Sequence, residues 1–365
     1  MSNPVMEQIA ALRDEDWAVR EDAARLLGTF KDPRAVTPLI ALLRDEDRSV
    51  REAVVEALRS IGTPAVEAVG ACLEQPDLSI QEAASSILST IADERVLPSL
   101  IKALRSSDWI VRMHAAKALR LIRHTDAIEP LIPLLQDKVK AVREEAAASL
   151  GAMGDPAIPL LLNALHHDEW IVRLHAVESL GKTRSPQAVE PLLSVLFNDT
   201  DSAVREDAVR ALGEIGDSRS VEYLLTAMRE PGLRTVAIEA LGKIGDTRAV
   251  PRLIECISGA VRPEITQTVG GCGDQWTEEL VAQGAAVRAL GDIGDDQAIP
   301  SLVAALEPTA TRAEAASALT RFGSKVVPLL IPLLTQSQDD NLRFHVRETL
   351  THVGWNPNRM STIHR

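Results

Sequence analysis

Metal ligation, nucleophilic attack and phosphate binding each need particular side chains at particular spacings. The eight histidines are His114, His124, His166, His167, His175, His345, His352 and His364, and the three cysteines are Cys72, Cys256 and Cys272. The cysteines are odd in number and form no CxxC pair, so neither a zinc site nor a disulfide framework is indicated. There is no Gly-x-Ser-x-Gly elbow and no credible Cys–His arrangement for covalent catalysis. Gly270-Gly271-Cys272-Gly273 lacks the Lys and Ser or Thr that a phosphate loop requires. One string with chemical character does recur: Trp109-Ile-Val-Arg-Met-His-Ala reappears as Trp170-Ile-Val-Arg-Leu-His-Ala. An aromatic ring, a long apolar side chain and an imidazole in that order suit contact with another protein, where Trp is enriched among hot spots.

Both strings belong to a repeat. V-R-x-x-A-x-x-x-L returns with its register position at Arg20, Arg51, Gln81, Arg112, Arg143, Arg173, Arg205, Arg234, Gln283, Arg312 and Arg343. The spacings are 31, 30, 31, 31, 30, 32, 29, 49, 29 and 31 residues, so there are eleven units and one anomalous interval. Seven residues after the register position every unit has leucine, from Leu27 to Leu350, and three after it every unit has Ala or Val. Offsets −1, +3, +7 and +10 form one stripe of a 3.6-period helix and predict its buried face. Four residues before the register position, Asp16, Asp47, Asp77, Asp108, Asp201 and Asp339, with Glu169, Glu230 and Glu279, are placed to cap the helix and oppose its dipole. Gly62, Gly154, Gly216, Gly245, Gly294, Gly323 and Gly354 stand at offset +11, where a left-handed C-cap is expected. Further glycines at offset +8, among them Gly28, Gly213, Gly242 and Gly291, predict close backbone approach. Pro38, Pro98, Pro130, Pro191, Pro251 and Pro300 mark the first turn of a second helix in each unit. A lone helix pair cannot bury both apolar faces, so the pairs must stack as a solenoid. The register arginines, four residues after an acid, read as structural i,i+4 contacts or a ladder between repeats.

Composition agrees. Apolar residues make up 45% of the 365 but aromatics only 3%, which favours packed helices over a β-sandwich. A formal net charge of −13 opposes a nucleic-acid partner, because phosphate contacts need clustered Lys and Arg. No stretch approaches a membrane span, and Met1 to Glu15 lacks the apolar core of a signal peptide, so a cytoplasmic location is expected.

The units, as in Arg205 to Asp217 (REDAVRALGEIGD) and Val236 to Asp246, resemble the HEAT repeat in its short form, the phycobilisome-lyase HEAT-like repeat. The resemblance covers about residues 3–354 and implies an all-α, right-handed α-solenoid (superhelix) of about eleven two-helix repeats, as one domain over 1–354 with a polar tail at 355–365. It also implies that the capped helix lines the concave side. Deoxyhypusine hydroxylases resemble this chain in fold and hold di-iron with His-Glu pairs, yet none of the eight histidines here is followed by Glu. Bilin lyases of the E/F type resemble it in repeat type, and their Tyr/Trp-rich tract would suit a chromophore; this chain has one tyrosine, Tyr223. No cofactor and no metal are expected, and an enzyme less so than a protein-binding scaffold or adaptor; a lyase or chaperone for antenna proteins is the second reading.

The candidate contact residues follow from register. At offset +1 five units have Glu (Glu21, Glu52, Glu82, Glu144, Glu206), whereas two have Met113 and Leu174. Those two also carry Trp109 and Trp170 at −3 and His114 and His175 at +2, and Lys117 lies at +5 on the same side. Trp17 holds offset −3 in the first unit, followed by Glu21 and Asp22. The same residues have a structural reading: a Trp opening a helix covers the turn within the repeat, and the His bonds a neighbouring helix. The long interval predicts an insertion loop at about 258–279, in which Gly259, Pro263, Gly270, Gly271 and Gly273 interrupt regular helix and Trp276 and Cys272 could bind. Phe344, Val346 and Leu350 are expected on a last helix that lacks an outer layer, with the tail as a linker to further chain.

Overall fold

The computed structural model describes residues 3–91, 93–258 and 273–355, with side chains from 278 onward in the last stretch. Among these residues eleven short helices alternate with eleven long ones, from Pro4–Ala11 and Trp17–Phe30 to Val327–Gln336 and Asp340–His352, and there is no strand. The fold is an all-α solenoid of two-helix repeats. It divides into two compact units, Met1–Thr183 with repeats 1 to 6 and Arg184–Arg365 with repeats 7 to 11.

The leucine at offset +7 decides the packing. All eleven, Leu27, Leu58, Leu88, Leu119, Leu150, Leu180, Leu212, Leu241, Leu290, Leu319 and Leu350, are 0% exposed. Each withdraws its whole side chain from water, a gain of about 1.5–3 kcal/mol relative to exposure. Offset −1 is buried in ten repeats but not in the first, where Val19 is 38% exposed and Phe30 at +10 is exposed with it.

Helix starts are built as the periodicity predicts, and helix ends in part. The carboxylates of Asp16, Asp47, Asp77, Asp108, Asp201 and Asp339 each accept a backbone N–H of the first turn. The seven glycines at +11 all have positive φ, between 59° and 80°. Gly216 and Gly245 are left-handed C-caps, whereas Gly62 and Gly154 cap with ψ of −133° and −146°, and Gly323 and Gly354 lie beyond the caps Arg321 and Val353. In repeats 1, 4 and 6 the same offset holds Lys31, Arg123 and Arg184, which take φ of 53–57° at a cost that glycine avoids. The +8 glycines allow close approach: a Cβ on Gly28, Gly213, Gly242 or Gly291 would lie 2.7–2.9 Å from Ala57, Ala240, Ala289 or Ala318, the +6 residue of the next repeat.

Three expectations are corrected. The helix Val250–Ser258 ends where the insertion was expected to begin, but the next long helix runs Gly273–Ile293, so 273–279 are helical. Gly273 is that helix's first residue, a position where glycine interrupts nothing. Glu279 is therefore inside the helix and caps nothing; it pairs with Arg234 at 2.6 Å. Residues 259–272, with Gly259, Pro263, Gly270, Gly271 and Cys272, lie outside the described residues. In the last repeat Val346 and Leu350 are fully enclosed, since Val327–Gln336 supplies the short-helix layer, and only Phe344 faces solvent. Residues 356–365 lie outside the described residues.

Candidate functional site

Several of the register arginines tie repeats together. Arg112 reaches Asp137 of the next repeat through Nε at 2.7 Å and Nη2 at 2.9 Å, while Nη1 donates to the carbonyls of Ser106 and Ser107. Arg20 does the same with Asp45 and with the carbonyls of Asp14 and Glu15. Each guanidinium thus satisfies carbonyls of the turn that joins the short helix to the long one. For Arg20 and Arg112 the ladder partner is the acid 25 residues later, whereas Arg205, Arg234 and Arg312 take Glu230, Glu279 and Asp339, the acids at −4 of the following repeat.

The Trp strings lie in the first unit, on the long helices Trp109–Ile122 and Trp170–Thr183. Asp108 accepts from Ile110 N at 2.7 Å, which makes Trp109 the first helical residue. Capping places the ring at the helix mouth, outside the stripe that packs. Trp109 remains 41% exposed and Trp170 45%. Met113 and Leu174, one turn on, are half-buried and floor the surface beside each ring. Between the two helices lies Lys140–Met153, whose Lys140 and Glu144 pair at 3.3 Å. Adjacent packed helices stand about 8–10 Å apart, so the two rings are separated by roughly 20 Å. Trp17 is also exposed, at 48%, but two repeats intervene before Trp109, and the Glu21–Arg25 pair occupies its own face. The side chain of Trp276 lies outside the described residues.

The two histidines, alike in sequence, differ in role. His175 is only 5% exposed; its Nδ1 lies 2.9 Å from Glu178 Oε2 and its Nε2 accepts from Arg143 Nε at 3.2 Å. That pattern assigns the proton to Nδ1. Lys182 completes the chain at 2.6 Å from Glu178. His175 thus braces the surface from beneath and offers little to a partner. His114 is half-buried, with Nδ1 3.4 Å from Ser85 Oγ. Burial, then the charges of Lys117 and Arg59, push its pKa below the usual imidazole range. Lys117 has no carboxylate within 4 Å among the described residues.

One residue of this face escaped the sequence reading. Arg59, in the helix Arg48–Ile61, has its Nε buried without a hydrogen-bond partner. Its signal in the sequence was an arginine at offset +8, shared only with Arg120. Among the described residues no three His, Cys, Asp or Glu side chains gather as a metal site would require. No helix among them is long and apolar enough to cross a membrane.

Comparison with known proteins follows the repeat. The family model for HEAT repeats matches residues 6–89, 64–120, 97–170, 158–236 and 277–351, and that for the PBS lyase HEAT-like repeat matches 233–259. The chain is similar to phycocyanobilin lyase subunit alpha of Nostoc sp., 31% identical over 240 residues, covering 62% of this chain and 80% of that protein. It is equally similar to deoxyhypusine hydroxylase of Neosartorya fischeri, 31% identical over 241 residues, covering 61% of this chain and 72% of that protein. Among solved structures, yeast importin-beta (Kap95p) aligns with a TM-score of 0.64 at 14% identity, covering 96% of this chain and 57% of its own. This chain therefore spans about half the length of that karyopherin, and the likeness is one of fold. A lyase subunit and a hydroxylase stand at the same distance, so the similarity follows the stacked helices and selects neither chemistry.

Proposed function

This chain belongs to the HEAT-repeat family, and from that premise we propose that it is a non-enzymatic scaffold that binds a protein partner on the inner face of repeats 4 to 6. The carrying observation is the pair Trp109 and Trp170, 41% and 45% exposed at one register, each beside a half-buried apolar side chain where other repeats place Glu. Rings of this size, exposed together with an apolar floor, are what a partner buries as anchors. Met113 and Leu174 line the seats, Lys117 and His114 edge the first, and His175 holds the second in shape. Trp17 and Trp276 enter the proposal as secondary contacts. The acidic balance of the chain argues for a protein rather than a nucleic acid as partner.

The test is a double substitution, Trp109→Ala with Trp170→Ala. More than half of each Trp residue is withdrawn from water, so a stability loss of about 1–3 kcal/mol per site is expected from apolar area alone. Helix content at 25 °C stays near that of the parent. Proteins retained from an extract of the source cells are compared for parent and variant by mass spectrometry, with the variant's fold checked by circular dichroism. A partner held by the parent and lost by the folded variant supports the reading; identical retention ends it.

The likeness to phycocyanobilin lyase subunit alpha supports a second reading, a bilin lyase or chaperone acting on antenna proteins. Co-expression with bilin and an apo-antenna protein gives a covalent, coloured product on that reading alone.

A further inference from the structure

Repeat 4 carries a raised ridge on its inner side. Trp109, Met113, Lys117 and Leu121 stand at offsets −3, +1, +5 and +9 of the helix Trp109–Ile122, four residues apart and opposite its buried stripe. At 1.5 Å per residue the row runs about 18 Å along the helix. Trp109 is 41% exposed and Leu121 42%, while Met113 and Lys117 are half-buried and keep part of their surface in water. At +5 and +9 the neighbouring repeats have Ser86 and Thr90 on one side and Ala148 and Ala152 on the other. The helix Lys140–Met153 packs directly against the ridge helix, with Ser149 Oγ donating to the carbonyl of Ala116 at 2.9 Å. The ridge therefore stands between two lower rows. Rows of side chains spaced by four are the ones through which helices interdigitate.

Charge singles out the middle of the ridge. The long helices of repeats 4 to 6 bring Lys117, Arg120, Lys140 and Lys182 to this face. Arg120 is taken by Glu145 at 2.8 Å, Lys140 by Glu144 at 3.3 Å and Lys182 by Glu178 at 2.6 Å. Asp108, at the mouth, is turned to its own helix end and accepts from Ile110 N. Each carboxylate of the face thus has its donor, and among the described residues Lys117 is the one cation of the four without a carboxylate partner. It lies one helical turn from Met113 and one from Leu121.

We propose that this ridge binds an amphipathic α-helix of the partner, which sets a carboxylate against Lys117 and an apolar side chain about one turn to either side, against Met113 and Leu121. An extended segment fits less well. Its backbone N–H and C=O groups would lose water against side chains that offer them almost no partners, whereas a helix satisfies those groups within itself. The ridge also runs along one helix, so a chain crossing from repeat to repeat would meet it at a single residue. The proposal rests on the docking face described above and names the kind of segment that face selects.

The probe is a phage-displayed library of random linear peptides of about 16 residues, long enough as a helix to span the ridge. It is selected on the full chain and counter-selected on Trp109→Ala/Trp170→Ala. Winners are expected to share an acid flanked at four-residue spacing by apolar residues, and to gain helical circular dichroism on binding. Lys117→Glu, with its fold checked in the same way, should weaken a winner about tenfold, and replacing the winner's acid by Lys should restore it. Leu121→Ala should also cost about tenfold through lost apolar contact. Winners that are basic, that bind without becoming helical, or that ignore Lys117→Glu overturn the proposal and leave the docking face in place. A selection that returns no peptide preferring the parent to the Trp variant removes the docking face itself, and the proposal with it.

Discussion

Gly213→Ala sets two physical effects against each other with opposite signs. Gly213 lies inside the helix Ser202–Ile215, where helix propensity alone favours Ala over Gly by about 1 kcal/mol. A Cβ built there, however, stands 2.8 Å from both Cα and Cβ of Ala240 on the next long helix, and 3.5 Å from its carbonyl oxygen. Carbon atoms settle at about 3.5–4.0 Å, so two helices must part by roughly 1 Å. The obstacle includes backbone, so no rotamer change relieves it. Overpacking of this kind costs about 1–3 kcal/mol, and parting the helices also forfeits part of the contact energy along them. The net expectation is a destabilisation of about 1–2 kcal/mol, against the sign of propensity. Gly232→Ala is the control, because nothing lies within 4 Å of a Cβ there and its φ is not positive. It should leave stability unchanged or raise it by a few tenths of a kcal/mol. Urea unfolding followed by circular dichroism compares the midpoints, and amide exchange localises the loss to 202–215 and 231–244, since each repeat depends chiefly on its neighbours. A Gly213→Ala protein as stable as the parent would refute the close-approach argument.

Other expectations are simpler to state. Arg123→Gly should raise stability by about 0.5–1 kcal/mol, because it relieves a left-handed residue at φ 57°, and a higher thermal midpoint would show it. Asp32 is held at a pKa of about 2 by Arg34, and Asp45, Asp93, Asp217 and Asp246 are lowered by Arg20, Arg95, Arg219 and Arg248. Depressed carboxylates contribute stability above their unfolded pKa of about 4, and that stability is lost as pH falls toward their folded values. The contribution of these carboxylates should therefore hold steady from neutral pH to about 5 and be lost below about 4. His114 is kept neutral by burial and by Lys117 and Arg59, so the unfolded chain takes up its proton first and stability declines as pH falls below about 6.5. His114→Gln should flatten that part of the profile; an unchanged slope would remove His114 as its source.

The architecture was legible because it is local and repeated. The leucines, the capping aspartates and the C-cap glycines each act within one helix or between one helix and the next, so a spacing of about 31 residues implies the same contact many times. The Trp109 and Trp170 strings were legible for the same reason, as breaks in a pattern. The insertion was misjudged at its end because a glycine that stops a helix interior is harmless at its first position, and Gly273 is such a residue.

What lies between repeats was hidden. His114 and His175 have the same offset and closely similar neighbours in sequence, yet one edges a surface and the other is buried between Arg143 and Glu178. Arg59 and Arg120 are likewise equivalent along the chain and opposite in state. The difference is made by residues about 25 to 30 positions away, Ala83 against Glu145, which touch only after the helices stack. Periodicity along one helix therefore determined that this protein is a stack of helix pairs with aromatic rings at three helix mouths. Only the stacking decided which polar atoms across the seams found partners and which were buried without one.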